Sequence, residues 1–194
     1  MEDFDQVLSA AQAGQEWALT LIYRAHHPAL FRYLRWCDPK NADDLAGETW
    51  LAFAKHLSSF EGDESALRGW LFSIAHRRAI DEQRRRARRK TDPVSAEVIE
   101  SSLESVLDPG HPGQESEGIE ALAAQKAVSV LLSGLPREQA QIIALRVLGG
   151  LNISEVAELL GKRPGSIRVA QHRALKRLSE TLTPEQVRKT FEGS

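Results

Sequence analysis

Cysteine is almost missing from this chain: Cys37 is the only one among 194 residues. No internal disulfide can form, and no Cys-x-x-Cys metal site exists. Long apolar runs are missing too, since none approaches the roughly 20 residues that cross a bilayer, so no membrane insertion is expected. The N-terminal stretch MEDFDQVLSAAQ is acidic and lacks the basic start and apolar core of a secretory signal, which makes a cytoplasmic protein the expectation. Alternating strand patterns are absent, which makes the fold all-α. Around His26, His27, His56 and His76 there is no acid–base pair and no metal-ligand spacing, so the reading assigns no catalytic residue, metal or cofactor. Aromatics are scarce in the second half: eleven of twelve lie between Phe4 and Phe72, with Phe191 the exception.

What is present is segregated charge. The formal net charge is only −2, yet Leu67 to Lys90 holds nine Lys or Arg against Asp81 and Glu82. Thr91 to Gly118 then carries seven Asp or Glu and no Lys or Arg, and Lys162 to Arg177 carries six basic residues and no acidic one. This pattern suggests two anion-binding modules on a tether. The tether is 91–118, an acidic stretch without aromatics that ends in Pro, Gly and Ser, though Ala96 to Leu107 can form a short helix. Domains at 1–90 and 119–182 remain, followed by a tail at 183–194 in which Thr183 to Gln186 can cap one last short helix.

Periodicity predicts helices over Trp17–Cys37, from Asp38–Pro39 through Leu57, and from an Asp63 N-cap through Ile80. In the second half it predicts Ile119–Leu132 and Pro136–Leu148, the latter with Pro136 in its first turn. Asn152 and Glu155 have capping-box spacing for a helix Ile153–Leu160. Gly161 ends that helix, and Pro164 starts another that runs to about Leu182.

The short helix, glycine turn and longer basic helix of LNISEVAELLGKRPGSIRVAQHRALKRL, Leu151 to Leu178, are the parts of a helix-turn-helix. Ile167, Ala170, Ala174 and Leu178 recur at inward spacing. Ser166, Arg168, Val169, His172, Arg173 and Lys176 then project where a recognition helix meets base edges and phosphates. In the first half, SSFEGDESALRGWLFSIAHRR sets Phe60, Trp70, Phe72, Arg77 and Arg78 beside the basic run. Aromatics interleaved with cations suit unpaired bases, which need both stacking and backbone charge, although Trp and Phe in a small helical domain are also core residues.

These motifs together resemble a bacterial sigma factor of the extracytoplasmic-function group, which carries only the sigma-2 and sigma-4 domains. ADDLAGETWLAFAKHLSSF resembles the family's acidic helix that docks on the clamp helices of RNA polymerase. LRGWLFSIAHRRAIDEQRRRARR resembles its promoter-melting helix, and Leu132 to Leu178 resembles sigma-4. The resemblance implies promoter recognition rather than catalysis, with core RNA polymerase (clamp helices and flap region) and promoter DNA as partners. An anti-sigma factor is a common further partner in the family, though no residue here identifies one. Carried over by position, Asp43, Asp44, Leu45, Glu48 and Thr49 would contact polymerase. Phe60, Gly62, Asp63 and Ser65 would lie in the loop that captures a flipped −10 base, and Arg77, Arg78, Arg84 and Arg85 would line the melted strand. Arg146 would touch a phosphate at the −35 element, with Ser166 to Lys176 reading that duplex. Gly47 stands where the family usually has Gln, and Arg77 where Asn is common.

The main rival is a helix-turn-helix regulator with a helical sensor or dimerisation domain, which needs no polymerase. Geometry bears on the choice. Elements on the order of 20–25 base pairs apart are separated by ~70–85 Å. A flexible tether of 28 residues averages only ~30 Å, with a full reach of ~95 Å. Spanning both elements therefore needs a scaffold that holds the chain stretched, and the free protein is expected to bind promoter weakly.

Overall fold

The structure, a computed structural model, describes residues 4–91 and 127–181. The acidic tether beyond Thr91, the start of the helix predicted from Ile119, and the C-terminal tail lie outside the described residues. Eight helical segments follow one another there, and no strand occurs among the described residues. They are α1 (Phe4–Gln12), α2 (Glu16–Cys37), α3 (Ala42–His56), α4 (Glu64–Thr91), α5 (127–133), α6 (Arg137–Val147), α7 (Ile153–Leu159) and α8 (Pro164–Thr181), with one 3-10 turn at Leu57–Ser59.

Local chemistry explains the boundaries. The Asp63 carboxylate accepts the Ala66 N–H at 2.8 Å and so caps α4. Pro136 serves as N-cap of α6, one position before the first turn expected for it. Both arms of the Asn152–Glu155 capping box form at the start of α7. Gly161 ends that turn at φ 63°, a conformation other residues adopt with strain. α1 is a helix that periodicity did not predict, and it buries Val7, Leu8 and Ala11 against its neighbours.

Aromatic bulk fills the first half. Tyr33, Phe53 and Phe72 are fully buried among Leu30, Leu34, Leu67 and Leu71. In the second half, Ile142, Leu145, Leu151, Val156 and Ile167 form an aliphatic core. The sequence suggested two modules on a tether, but here the halves are packed together, α7 against α4 and α6 against α2. Gly149 marks one close approach. A Cβ there would stand 2.8 Å from Phe72 Cε1 and 2.7 Å from the Leu145 carbonyl oxygen, so α4 meets bare backbone.

Candidate nucleic-acid interface

α3 presents one face outward and buries the other. Ala42, Leu45, Ala46, Thr49 and Phe53 face the core, and Asp43, Asp44, Gly47, Glu48 and Leu51 form an exposed stripe. Leu45 and Thr49 therefore lie on the buried side of the helix, away from the exposed stripe. Leu45 packs inward, and the Thr49 hydroxyl donates to the Leu45 carbonyl at 2.6 Å. Asp43, Asp44 and Glu48 do face solvent. Leu51, 74% exposed, is a surface apolar residue on the same stripe that the sequence reading did not select.

The loop before α4 is buttressed from an unexpected side. Gln12 of α1 donates to the carbonyls of Leu57 and Phe60 at 3.1 and 2.7 Å. Phe60 stacks on Trp70 with ring centroids 5.1 Å apart, and Trp70 in turn lies 5.0 Å from Phe53. Phe60 is thus a partly buried platform anchored to the core, while Gly62 and Asp63 are exposed. Ser65 points instead toward the second half.

Along α4, Arg77, Arg78, Arg84 and Arg85 are exposed. Several cations of this helix already hold acids of the same chain. Arg78 pairs with Glu48 at 3.1 Å, Arg84 with Asp81 at 3.8 Å and Arg85 with Glu82 at 3.2 Å. Arg86 behaves differently: it reaches the buried Asp38 carboxylate at 2.9 Å, and Asp38 also accepts from Lys40 N–H and the Asn41 side chain. One member of the basic run is therefore a structural pin rather than a free charge.

On α8, Ile167 and Ala174 are fully buried and Ala170 and Leu178 partly so. Ser166, Arg168, Val169, His172, Arg173 and Lys176 all face solvent, as the helical spacing predicts. A cleft of about 490 Å³ runs beside this face, between Glu138 and Gln139 of α6 and Ser166, Val169 and Arg173 of α8. Arg146, at the end of α6, is partly exposed. It donates through Nη1 to the Leu151 carbonyl, and its Nε is buried, so part of the side chain braces the turn before α7.

Polar groups also join the halves. Glu155, only 7% exposed, accepts from Ser65 Oγ at 2.5 Å and from Arg68 Nη2 at 2.7 Å. Burial pushes its carboxyl upward, but hydrogen bonds from Ser65, Arg68 and the Asn152 N–H outweigh this and hold it below the ordinary carboxylate value. Farther along, the Tyr33 hydroxyl lies 2.8 Å from His76 Nδ1, and Gln141 Nε2 lies 3.1 Å from His76 Nε2. Burial lowers the His76 pKa from its usual 6.5. Burial also pushes the Cys37 thiol up to about 12, so it stays protonated at neutral pH. Arg68 and Glu155 were both missed as site residues. The capping-box spacing drew attention to Glu155, but its second role depends on a contact 87 to 90 residues away.

Among the described residues no helix is long and apolar enough to cross a membrane. Residues 22–89 match the family model for Sigma-70 region 2, and residues 125–178 match that for Sigma-70, region 4. The ECF RNA polymerase sigma factor SigD of Mycobacterium tuberculosis is 31% identical over 187 residues, covering 93% of this chain and 84% of SigD. The ECF RNA polymerase sigma factor BldN of Streptomyces coelicolor is 26% identical over 185 residues, covering 94% and 67% of the two chains. Among solved structures, CnrH in complex with the cytosolic domain of CnrY shares the fold with a TM-score of 0.63 at 20% identity, over 92% of this chain and 96% of CnrH. The sigma factor RpoE of Bartonella quintana, in complex with the anti-sigma factor NepR, gives 0.59 at 24% identity, over 85% and 94%. With both regions matched in order and a relative aligned along nearly its whole length, the chain belongs to the sigma-70 family as an extracytoplasmic-function RNA polymerase sigma factor, a non-enzymatic initiation factor.

Proposed function

We propose that this sigma factor divides promoter reading between its halves: α8 reads the −35 element as duplex, and the loop at 60–65 with α4 captures the opened −10 strand. The observation that carries this reading is the two-sided character of α8. Its buried side is Ile167 and Ala174, and its outer side offers Arg168, Val169, His172, Arg173 and Lys176 along successive turns. Arg can bond guanine in the major groove through two donors, and Val169 suits a thymine methyl. In the first half, the Phe60–Trp70 stack gives an unpaired base an aromatic surface, which offsets part of an unstacking cost of a few kcal/mol per base.

Docking on core polymerase goes through the outward stripe of α3, where Asp43, Asp44 and Glu48 suit a basic partner and Leu51 adds an apolar contact. Work on the polymerase requires a cytoplasmic protein. The tether at 91–118 links the two readers, and polymerase holds it extended between them. CnrH and RpoE were each solved with a binding partner, so an anti-sigma factor is proposed for this chain as well.

Run-off transcription from a randomised promoter library, with purified core polymerase and this protein, tests the reading. Transcripts should start at promoters sharing two short elements at fixed spacing. Tight, sequence-specific binding to duplex promoter by the protein alone, without initiation when polymerase is added, would instead identify a helix-turn-helix regulator.

A further inference from the structure

Glu155 performs two tasks with its two oxygens. Oε2 accepts from the Asn152 N–H, while the Asn152 side chain accepts from the Glu155 N–H at 3.0 Å. The capping box of α7 is complete with that oxygen alone. Oε1 faces the other half of the protein, where it takes Ser65 Oγ at 2.5 Å, Arg68 Nη2 at 2.7 Å and Arg68 Nε at 3.3 Å. Three donors on one anionic oxygen suit a phosphate oxygen equally well, because both present a charged acceptor to a guanidinium fork.

Position supports the same ligand. Ser65 and Arg68 are three residues apart in the first turns of α4 and share a helical face. They follow directly on the loop that carries Phe60, Gly62 and Asp63, and they lie on the helix that carries Arg77 and Arg78. We propose that Ser65 and Arg68 form a binding site for a backbone phosphate of the opened promoter strand, and that in the closed protein the Glu155 carboxylate occupies it. The proposal rests on the division of labour set out above and adds both a ligand site and an internal competitor for it.

Two further features tie the competitor to the closed arrangement. Gly69 faces Glu155, and a Cβ built on it would lie 3.9 Å from Glu155 Cγ, already at van der Waals contact, so any side chain longer than a methyl group would press on Glu155. In addition, the Ser65–Glu155 contact holds the two halves together at 2.5 Å. DNA elements 20–25 base pairs apart are separated by ~70–85 Å, so both readers can be engaged only after this contact opens. Opening withdraws one anion from Arg68 as the strand supplies another, and the guanidinium is left without a partner only in passing.

The test uses the full-length protein and a dye-labelled, mixed-sequence single-stranded DNA, followed by fluorescence anisotropy. Glu155→Gln keeps an acceptor for the capping box and removes the charge. Gly69→Leu keeps Glu155 and both donors but drives the helices apart. Both should tighten single-strand binding ~10-fold, the scale of one charge-assisted contact. Adding Arg68→Ala to Glu155→Gln should return binding to the wild-type level. The proposal is overturned if both single variants bind as the wild type does, or if the gain survives loss of Arg68. Run-off transcription by the wild-type protein with core polymerase runs alongside. Its failure would count against the promoter-reading scheme itself, whereas intact transcription with flat anisotropy would reject only the phosphate site.

Discussion

α4 and α8 are both long, basic helices, and they carry their charge in opposite ways. On α8, Arg168 and Arg173 have no ion pair among the described residues, and Lys176 reaches only Glu180, at 4.0 Å. On α4, Arg78, Arg84, Arg85 and Arg86 each hold an acid of the same chain. On the proposed reading, α8 would meet a duplex backbone with unpaired cations, while most of the exposed cations of α4 would have to exchange partners before taking a strand. Exposed pairs of this kind are worth little in water, so the exchange costs little, but it blunts non-specific attraction. α4 also carries Phe72 into the core, so its inner face holds the two halves together while its outer face bears charge.

The largest expected effect comes from breaking the inner face of α4. Phe72→Ala should lower stability by ~3–5 kcal/mol in a denaturant titration, and it should loosen the second half as well, because Phe72 packs against Gly149. Loss of stability confined to the first half would separate the two cores.

Next in size, Arg168→Ala with Arg173→Ala should weaken −35 duplex binding by the polymerase holoenzyme ~100-fold and reduce the salt slope by about 2. The matching change on α4, Arg84→Ala with Arg85→Ala, should cost less, ~10-fold in the rate of promoter opening, because both cations already hold Asp81 and Glu82. Polymerase binding should stay close to normal. An equal loss of polymerase binding would show that this run serves general electrostatics and not the strand.

The smallest effect concerns pH. Burial depresses the His76 pKa below its ordinary 6.5 in the folded protein. Between the folded and unfolded values the unfolded chain binds more protons, so this stabilisation is present above pH 6.5 and is lost as pH falls below it. Thermal melts at pH 7.5 and 5.5 should differ less in a His76→Gln variant than in the wild type. An unchanged difference would mean that other groups carry the acid sensitivity.

Much of this was legible from local spacing. The Asn-x-x-Glu cap, the Gly161 turn, Pro164 at the start of α8 and the inward row Ile167, Ala170, Ala174 all act within one or two turns of helix. Leu45 and Thr49 were assigned to a surface through family resemblance. The i, i+3, i+4, i+7 row Ala42, Leu45, Ala46, Thr49 could have placed them inside. Two features had no local signal at all. α1 is short, and its Gln12 serves carbonyls 45 and 48 residues away. The Glu155 contact likewise depends on how the halves fold against each other. Periodicity reports which side of a helix is apolar but does not identify the residue that side will meet.

The Asp38–Arg86 pin gives α4 a fixed phase as well as a fixed place. With its upper turns packed through Leu67, Leu71, Phe72 and Ala75 and its lower part clamped at Arg86, the helix can neither slide nor roll. The 21 residue steps from Ser65 to Arg86 then measure off ~32 Å at 1.5 Å per step, roughly nine steps of stacked DNA at 3.4 Å. On the proposed division of promoter reading, the helix would work as a ruler: it would fix how much promoter lies between a base at the loop and phosphates beside the basic run, and a deletion of one helical turn would shorten that interval by ~5 Å.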